Sequence, residues 1–268
     1  MSLPLTKAHT DTLKSGGIPL VTVDAETPGA PRFVIDNVAG GRLAAEHLLA
    51  LGHRRIGFVG DSGDQALAFS STELRLRGYR EALRDAQIAA DRALVRITPH
   101  GAPRSTDGIS SAEELIDDPH PPTAIFAVSD VQAMRVLHAV EQRGLRVPEE
   151  LSLIGFDDIE AAGLVRLTTV RQPLQESGAL AARRLCGLLA GKAERSGRTV
   201  LPIQVVERGS TARPRHREGL RLERGRRRVP KSARAGTPAV RGSAVGRARR
   251  TDLSPPPSGA ARALPEPA

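Results

Sequence analysis

Short apolar runs and amphipathic helical segments alternate along most of this chain, with a period of roughly 25–30 residues. Ile18–Val23, Phe33–Ile35, Ile56–Val59, Leu94–Ile97, Ala124–Val128 and Leu151–Phe156 are apolar and bounded by Gly, Pro, Asp or Asn, which predicts strands. Between them Gly40–Leu51, Glu73–Ala86, Gly108–Ile116 and Val131–Arg143 carry apolar residues at helical spacing. Neighbouring parallel strands need a long crossover, and a helix is the usual one. The alternation therefore predicts an α/β protein with doubly wound parallel sheets. After residue 158 the rhythm changes. Leu167–Val170 reads as extended, about Leu174–Ala190 as a long helix and Thr199–Val206 as one final strand.

The stretch Gly144–Asp158, GLRVPEELSLIGFDD, locates the chemistry. Gly144 ends a helix, and Pro148 blocks its continuation. Leu151–Phe156 then reads as a buried parallel strand, with Asp157 and Asp158 at its carboxyl end. Ligands of open α/β sheets bind outside the carboxyl ends of the strands, so a carboxylate there is placed to accept hydrogen bonds from a polar small molecule. Turning the chain is the competing role for the same pair. Adjacent residues of a continuing strand point to opposite faces, so the two carboxylates do not read as a catalytic dyad.

The net charge of +9 belongs to the tail. Arg213–Ala268 holds 15 Lys+Arg against 4 Asp+Glu, leaving 24 and 26 for the rest. Overall charge is thus no argument for nucleic-acid binding by the folded part. The tail is rich in Arg, Pro, Ala and Gly, and its composition predicts disorder. Its run Arg224–Arg228 has no interleaved aromatic residue for base stacking. Cys186, the single cysteine, rules out an internal disulfide and a cysteine zinc site, and its apolar helix predicts a buried thiol. No signal-peptide pattern and no apolar run of spanning length is present, which predicts a cytoplasmic protein without membrane contact.

Catalytic and cofactor patterns are absent from the sequence. The seven histidines show no HxxxH or HExxH spacing, there is no GxGxxG after a strand, and there is no GxxxxGK[ST]. Ser62 in GDSGD does not form a nucleophile elbow. The expectation is a protein that is not an enzyme, with no metal and no cofactor.

Several segments together resemble one family: IPLVTVD (Ile18–Asp24), GGRLAAEHLLALGHRRIGFVG (Gly40–Gly60), LRGYREAL (Leu76–Leu83), PPTAIFAVSD (Pro121–Asp130), RGLRVPEELSLIGFDDIEAA (Arg143–Ala162) and LTTVRQPLQESG (Leu167–Gly178). In this order they resemble the effector-binding core of the LacI/GalR family of bacterial transcription regulators, over about Leu3 to Arg213. The resemblance implies a periplasmic-binding-protein-like fold, two α/β subdomains joined by three crossovers around a cleft. Crossovers are expected near Ile35–Val38, Asp158–Thr169 and Gln204–Arg208. It implies residues 1–35 as a remnant of the N-terminal subdomain and 36–158 as the C-terminal subdomain. Residues 159–213 would carry the crossovers, the N-terminal subdomain's helix and the final strand, and 214–268 the tail.

By the same resemblance the cleft closes on a small effector, a sugar, sugar phosphate or nucleobase. Asp157 matches the family's acceptor of sugar hydroxyls and Arg75 its effector-contacting arginine, while a surface ion pair is the plainer role for Arg75. Ser129 stands where the family has Asn or Ser, and it also suits a helix cap. Asp24 matches the aspartate ending the strand of the other subdomain, and Gln172 falls at a crossover facing the cleft. Planar Arg and ionised Asp suit neighbouring hydroxyls. The family's helix-turn-helix headpiece and the first two βα units find no counterpart before Ile18, so the resemblance is to an N-terminally truncated regulator. DNA contact would then come through a headpiece missing here, and a homodimer is implied. A solute-binding protein of the same fold and a non-functional remnant are the alternatives.

Overall fold

The computed structural model describes residues 7–27, 29–62, 71–99 and 108–215. The tail beyond them lies outside the described residues. In chain order the elements are α1 (Lys7–Ser15), β1 (Thr22–Val23), β2 (Arg32–Val34), α2 (Asn37–Ala50), β3 (Ile56–Ser62), α3 (Ser71–Asp85), β4 (Val95–Pro99), α4 (Gly108–Ile116), β5 (Ala124–Ala127), α5 (Asp130–Gln142), β6 (Ser152–Asp157), α6 (Glu160–Leu164), β7 (Thr168–Arg171), α7 (Leu174–Leu189), β8 (Arg198–Val200) and β9 (Gln204–Val206).

The strands form two sheets. The larger has the order β4-β3-β5-β6-β7-β9, parallel except for the antiparallel β7–β9 pair. Chain order reverses on either side of β3, which makes the carboxyl ends of β3 and β5 the switch point where such sheets open a crevice. Period-two alternation assigns each side chain to a face. Ile56, Phe58, Phe126, Ile154 and Phe156 face α2 and α3, and Val59, Ile125, Ala127 and Leu153 face α4 and α5. Phe58 and Phe126 meet edge to face at 5.3 Å, and the buried Tyr79 hydroxyl donates to the Ile56 carbonyl at 2.7 Å. Both faces are covered, which is why these strands read as continuous apolar runs.

The smaller sheet is β1-β2-β8, all parallel, with α7 packed on β1 and β2. Asp36 ends the first crossing and caps α2 by accepting from the Ala39 N–H at 2.9 Å. The chain leaves the larger sheet at Gln172–Pro173 and re-enters it at Gln204.

Three expectations change. The chain does not cross between Asp158 and Thr169, because Thr168–Arg171 is β7 of the larger sheet, in register with Ile154–Asp157. Thr199–Val206 is not one strand. Its first part pairs with β2 and its second with β7, and Pro202, which has no N–H for a ladder, lies at the break. Cys186 is exposed; α7 turns Leu180 and Ala181 to the core and leaves the thiol outside it. Among the described residues no helix is long and apolar enough to cross a membrane.

Candidate ligand site at the carboxyl ends of the strands

At the end of β6 the backbone takes two successive left-handed positions, with φ +112° at Asp157 and +59° at Asp158. Such positions cost on the order of 1–3 kcal/mol each for a non-glycine residue. They split the two carboxylates. Asp158, 8% exposed at its side chain, accepts from Arg171 at 2.5 Å and Arg208 at 2.6 Å. It thereby ties the end of β7 to the chain just past β9. Asp157 turns the other way, to accept from Gln172 Nε2 at 2.6 Å, with Arg75 Nη1 at 3.7 Å from the same oxygen.

Arg75 projects from the first turns of α3 into this end of the sheet, 5% exposed. Nε donates to Asn37 Oδ1 at 2.8 Å and Nη1 to the Val128 carbonyl at 2.6 Å. The guanidinium carbon lies 3.6 Å from the centroid of the Phe156 ring. These contacts fix its plane. Burial lowers its affinity for its proton, and the fields of Asp157, Asp24, Asp61 and Asp130 oppose that.

Asp24, with φ +53°, follows β1 in the smaller sheet, and the Asn37 side chain and the Arg75 charge both favour its ionised form. With Asn37 Oδ1 on Arg75, its amide N–H₂ is the group that can serve Asp24. A polar chain thus runs from Asp24 through Asn37 and Arg75 to Asp157 and Gln172, from one sheet to the other. Burial raises the Asp24 carboxyl above its usual range, partly offset by Arg75 and Asn37. Burial pushes Asp157 up to about 6, partly offset by Arg75 and the Gln172 hydrogen bond.

The structure thus brings four of the five sequence-predicted residues together: Asp157, Arg75, Asp24 and Gln172. Ser129 sits beside Val128, and its Oγ accepts from the Gln132 N–H at 3.2 Å as the cap of α5. Asn37 belongs to the same cluster although no sequence motif marks it: Asp36 caps α2, which leaves the Asn37 side chain to accept from Arg75. Asp130 is fully buried and accepts from Thr169 Oγ1 at 2.6 Å and the Ile159 N–H at 2.9 Å, holding the turn that aims Asp157. Among the described residues no group of three His, Cys, Asp or Glu could hold a metal ion.

Chemically, one fixed planar donor lies between carboxylates contributed by two sheets. Such an arrangement is chemically suited to neighbouring hydroxyls. The periplasmic binding protein-like domain family matches residues 45–211 of the chain. The transcriptional regulator DegA of Bacillus subtilis is 36% identical over 204 residues, 75% of this chain and 58% of DegA. The repressor CytR of Escherichia coli K12 is 35% identical over 183 residues, 68% of this chain and 52% of CytR. The chain therefore spans a little over half the length of these relatives, which are named as regulators and not as enzymes. Among solved structures, a complex of the regulator CelR with cellobiose superposes with a TM-score of 0.66 at 30% identity, covering 78% of this chain and 63% of that one. A LacI family regulator of Enterococcus faecium with bound ribose gives 0.67 at 28%, covering 79% and 77%. A dimeric Lac repressor gives 0.65 at 27%, covering 79% and 76%.

The fold is that of a periplasmic-binding-protein-like domain, with two lobes built on largely parallel sheets. The chain belongs to the periplasmic binding protein-like family and, within it, to the effector-binding domains of LacI/GalR regulators.

Proposed function

We propose that this chain is the sensing part of a cytoplasmic transcription regulator. A small polyhydroxyl effector binds between the lobes, and its occupancy controls DNA binding by a helix-turn-helix headpiece in a homodimer. The observation that carries this reading is the polar chain Asp24–Asn37–Arg75–Asp157–Gln172. It joins the two lobes at the switch point of the larger sheet. An effector whose hydroxyls donate to both Asp157 and Asp24 binds the closed arrangement more tightly than the open one, so it shifts the population toward closure. The sugar-bound relatives support the ligand class, and the dimeric relative supports the assembly.

A thermal melt of the full chain with ribose, cellobiose and a panel of other sugars and nucleosides tests the reading. A ligand at about 100-fold over its dissociation constant adds about 2.7 kcal/mol, a readable shift. One compound should raise the melt, and Asp157→Ala should abolish that rise. No response to any member, or an unchanged response in the variant, counts against it.

A further inference from the structure

We infer that His47 and His53 form a proton-sensitive latch: with both rings neutral they hold the segment after β9 against the larger sheet, and uptake of a proton at mildly acid pH loosens it.

Residues 207–212 run beside β6 and β7, where the Gly209 N–H donates to the Arg166 carbonyl at 2.9 Å and the Ala212 N–H to Ser152 Oγ at 3.0 Å. Two imidazoles reach adjacent residues of this segment. His47, in the last turn of α2, brings Nε2 to 3.0 Å from Thr211 Oγ1 and Nδ1 to 3.7 Å from the Glu207 carboxylate. His53, between α2 and β3, brings Nε2 to 2.8 Å from the Ala212 carbonyl and Nδ1 to 2.9 Å from Thr123 Oγ1. His53 is 1% exposed and the His47 side chain 9%. The same segment carries Arg208, which holds Asp158 beside the turn that bears Asp157.

The donors and acceptors fit neutral rings. A carbonyl only accepts, so His53 Nε2 carries the proton and Nδ1 accepts from the Thr123 hydroxyl. A second proton, on Nδ1, reverses that bond. The hydroxyl must then turn to the Arg55 carbonyl, a longer contact at 3.3 Å. The new charge stays buried, and its surroundings do little to balance it. Thr123 and Ser152, from β5 and β6, and Thr168 of β7 are uncharged. The Arg55 side chain is turned to Asp91 and Asp118, and that of Arg208 to Asp158. Glu207 faces His47, but its side chain is 75% exposed, so water screens it. Burial therefore holds both histidines below their ordinary 6.5. Glu207 partly offsets this at His47 and the Ala212 carbonyl at His53, while His47 lowers His53 further. A histidine whose folded pKa lies below its free value binds a proton more tightly once released into water. Acid thus favours the open segment, and the hold is fully present above about pH 7.

The test is hydrogen exchange of the full chain followed by NMR at pH 7.5 and 5.5, corrected for the intrinsic rate. The double variant His47→Gln/His53→Gln is measured beside it. Gln keeps an N–H donor near each Nε2 and takes up no proton. One pH unit below 6.5 is worth up to about tenfold per ring. Between the two pH values the Leu153, Thr168, Gly209 and Ala212 amides should therefore lose about tenfold more protection in the parent than in the variant. Equal losses in the two proteins overturn the inference, because other groups would then carry the pH dependence. A titration of the parent's histidine ring signals is the second measurement, and it decides the matter if the variant does not fold. Both rings should titrate below 6.5, in step with the loss of protection. Rings that titrate at or above 6.5, or protection in the parent that is the same at both pH values, overturn the latch.

Discussion

Asp157 is ionised at neutral pH at a cost, because burial holds its carboxyl up at about 6 against a usual 3.8. An acid whose folded pKa is raised binds its proton more tightly when folded. Its contribution to stability is therefore largest below 3.8, falls as pH rises to about 6, and is flat above that. Asp157→Asn removes the charge, and Asn tolerates the positive φ. The expected outcome is a variant more stable than the parent by about 1–3 kcal/mol at pH 7.5, with the gain vanishing near pH 4. Paired thermal melts at the two pH values check it; a variant less stable at pH 7.5 would mean that the Gln172 and Arg75 contacts outweigh burial. In the proposed complex effector hydroxyls donate to the ionised form, so affinity for the responding sugar should decline below pH 6, by up to tenfold per unit, when titrated between pH 5 and 8. At this scale the sequence was legible where a residue type admits one role. Asp157, Arg75 and Gln172 could be placed from their motifs. Asn37 could not, because Asp36 and Asn37 compete for one helix N–H, and only the local backbone decides which side chain is left to face Arg75.

Between elements, the site depends on how closely α2 and α3 pass. Two glycines set that distance from opposite sides. A Cβ on Gly41 would run into the Arg75 carbonyl, and one on Gly78 into the Val38 carbonyl. Backbone cannot yield as a flexible side chain does, so Gly78→Ala must push the helices apart and carry Arg75 away from Phe156 and Asn37. A loss of about 1–3 kcal/mol or more is expected, together with loss of the effector response. Gly163→Ala on α6, where a Cβ meets nothing within 4 Å, is the control and should leave both unchanged. Chemical denaturation of the two variants checks this, and equal stabilities would show that the helices can separate without cost. The glycines themselves carry no signal of this contact in sequence. Periodicity gave the faces of α2 and α3 but not their distance, just as it gave α7 an apolar face without saying that Cys186 lies off it. The break between β8 and β9 is similar. Thr199–Val206 reads as one strand because both halves are apolar, and the crossing at Pro202 appears once the two sheets are known to be separate.

At the scale of the whole molecule, the larger lobe is closed by chain that has first visited the smaller one. After β9 the segment from Glu207 to Ala212 lies along β6 and β7 as a strap. Ser210 O accepts from the Leu153 N–H at 2.7 Å, and Ser210 Oγ takes the Thr168 N–H at 2.8 Å while donating to the Leu153 carbonyl at 2.6 Å. Ser152 and Ala212 exchange two contacts at 3.0 Å. The buried His53 meets the Ala212 carbonyl through Nε2 at 2.8 Å, so that nitrogen carries the proton. Arg208, at the start of the strap, holds Asp158. Removing the strap would leave the Leu153 and Thr168 N–H groups, the Leu153 carbonyl, Ser152 and His53 buried without these partners. At about 1–3 kcal/mol for each orphaned group, the sum reaches the 5–15 kcal/mol that holds a whole domain folded. A chain ending after Val206 should therefore show no cooperative melt, although it keeps every strand and helix found among the described residues. A chain ending after Arg215 should melt as the full chain does and keep its effector response. Circular dichroism melts of the two truncations decide it. If the shorter chain unfolds cooperatively at the temperature of the longer one, the strap is an ornament on a lobe that closes by itself, and Asp158 holds Arg171 and Arg208 without consequence for the fold.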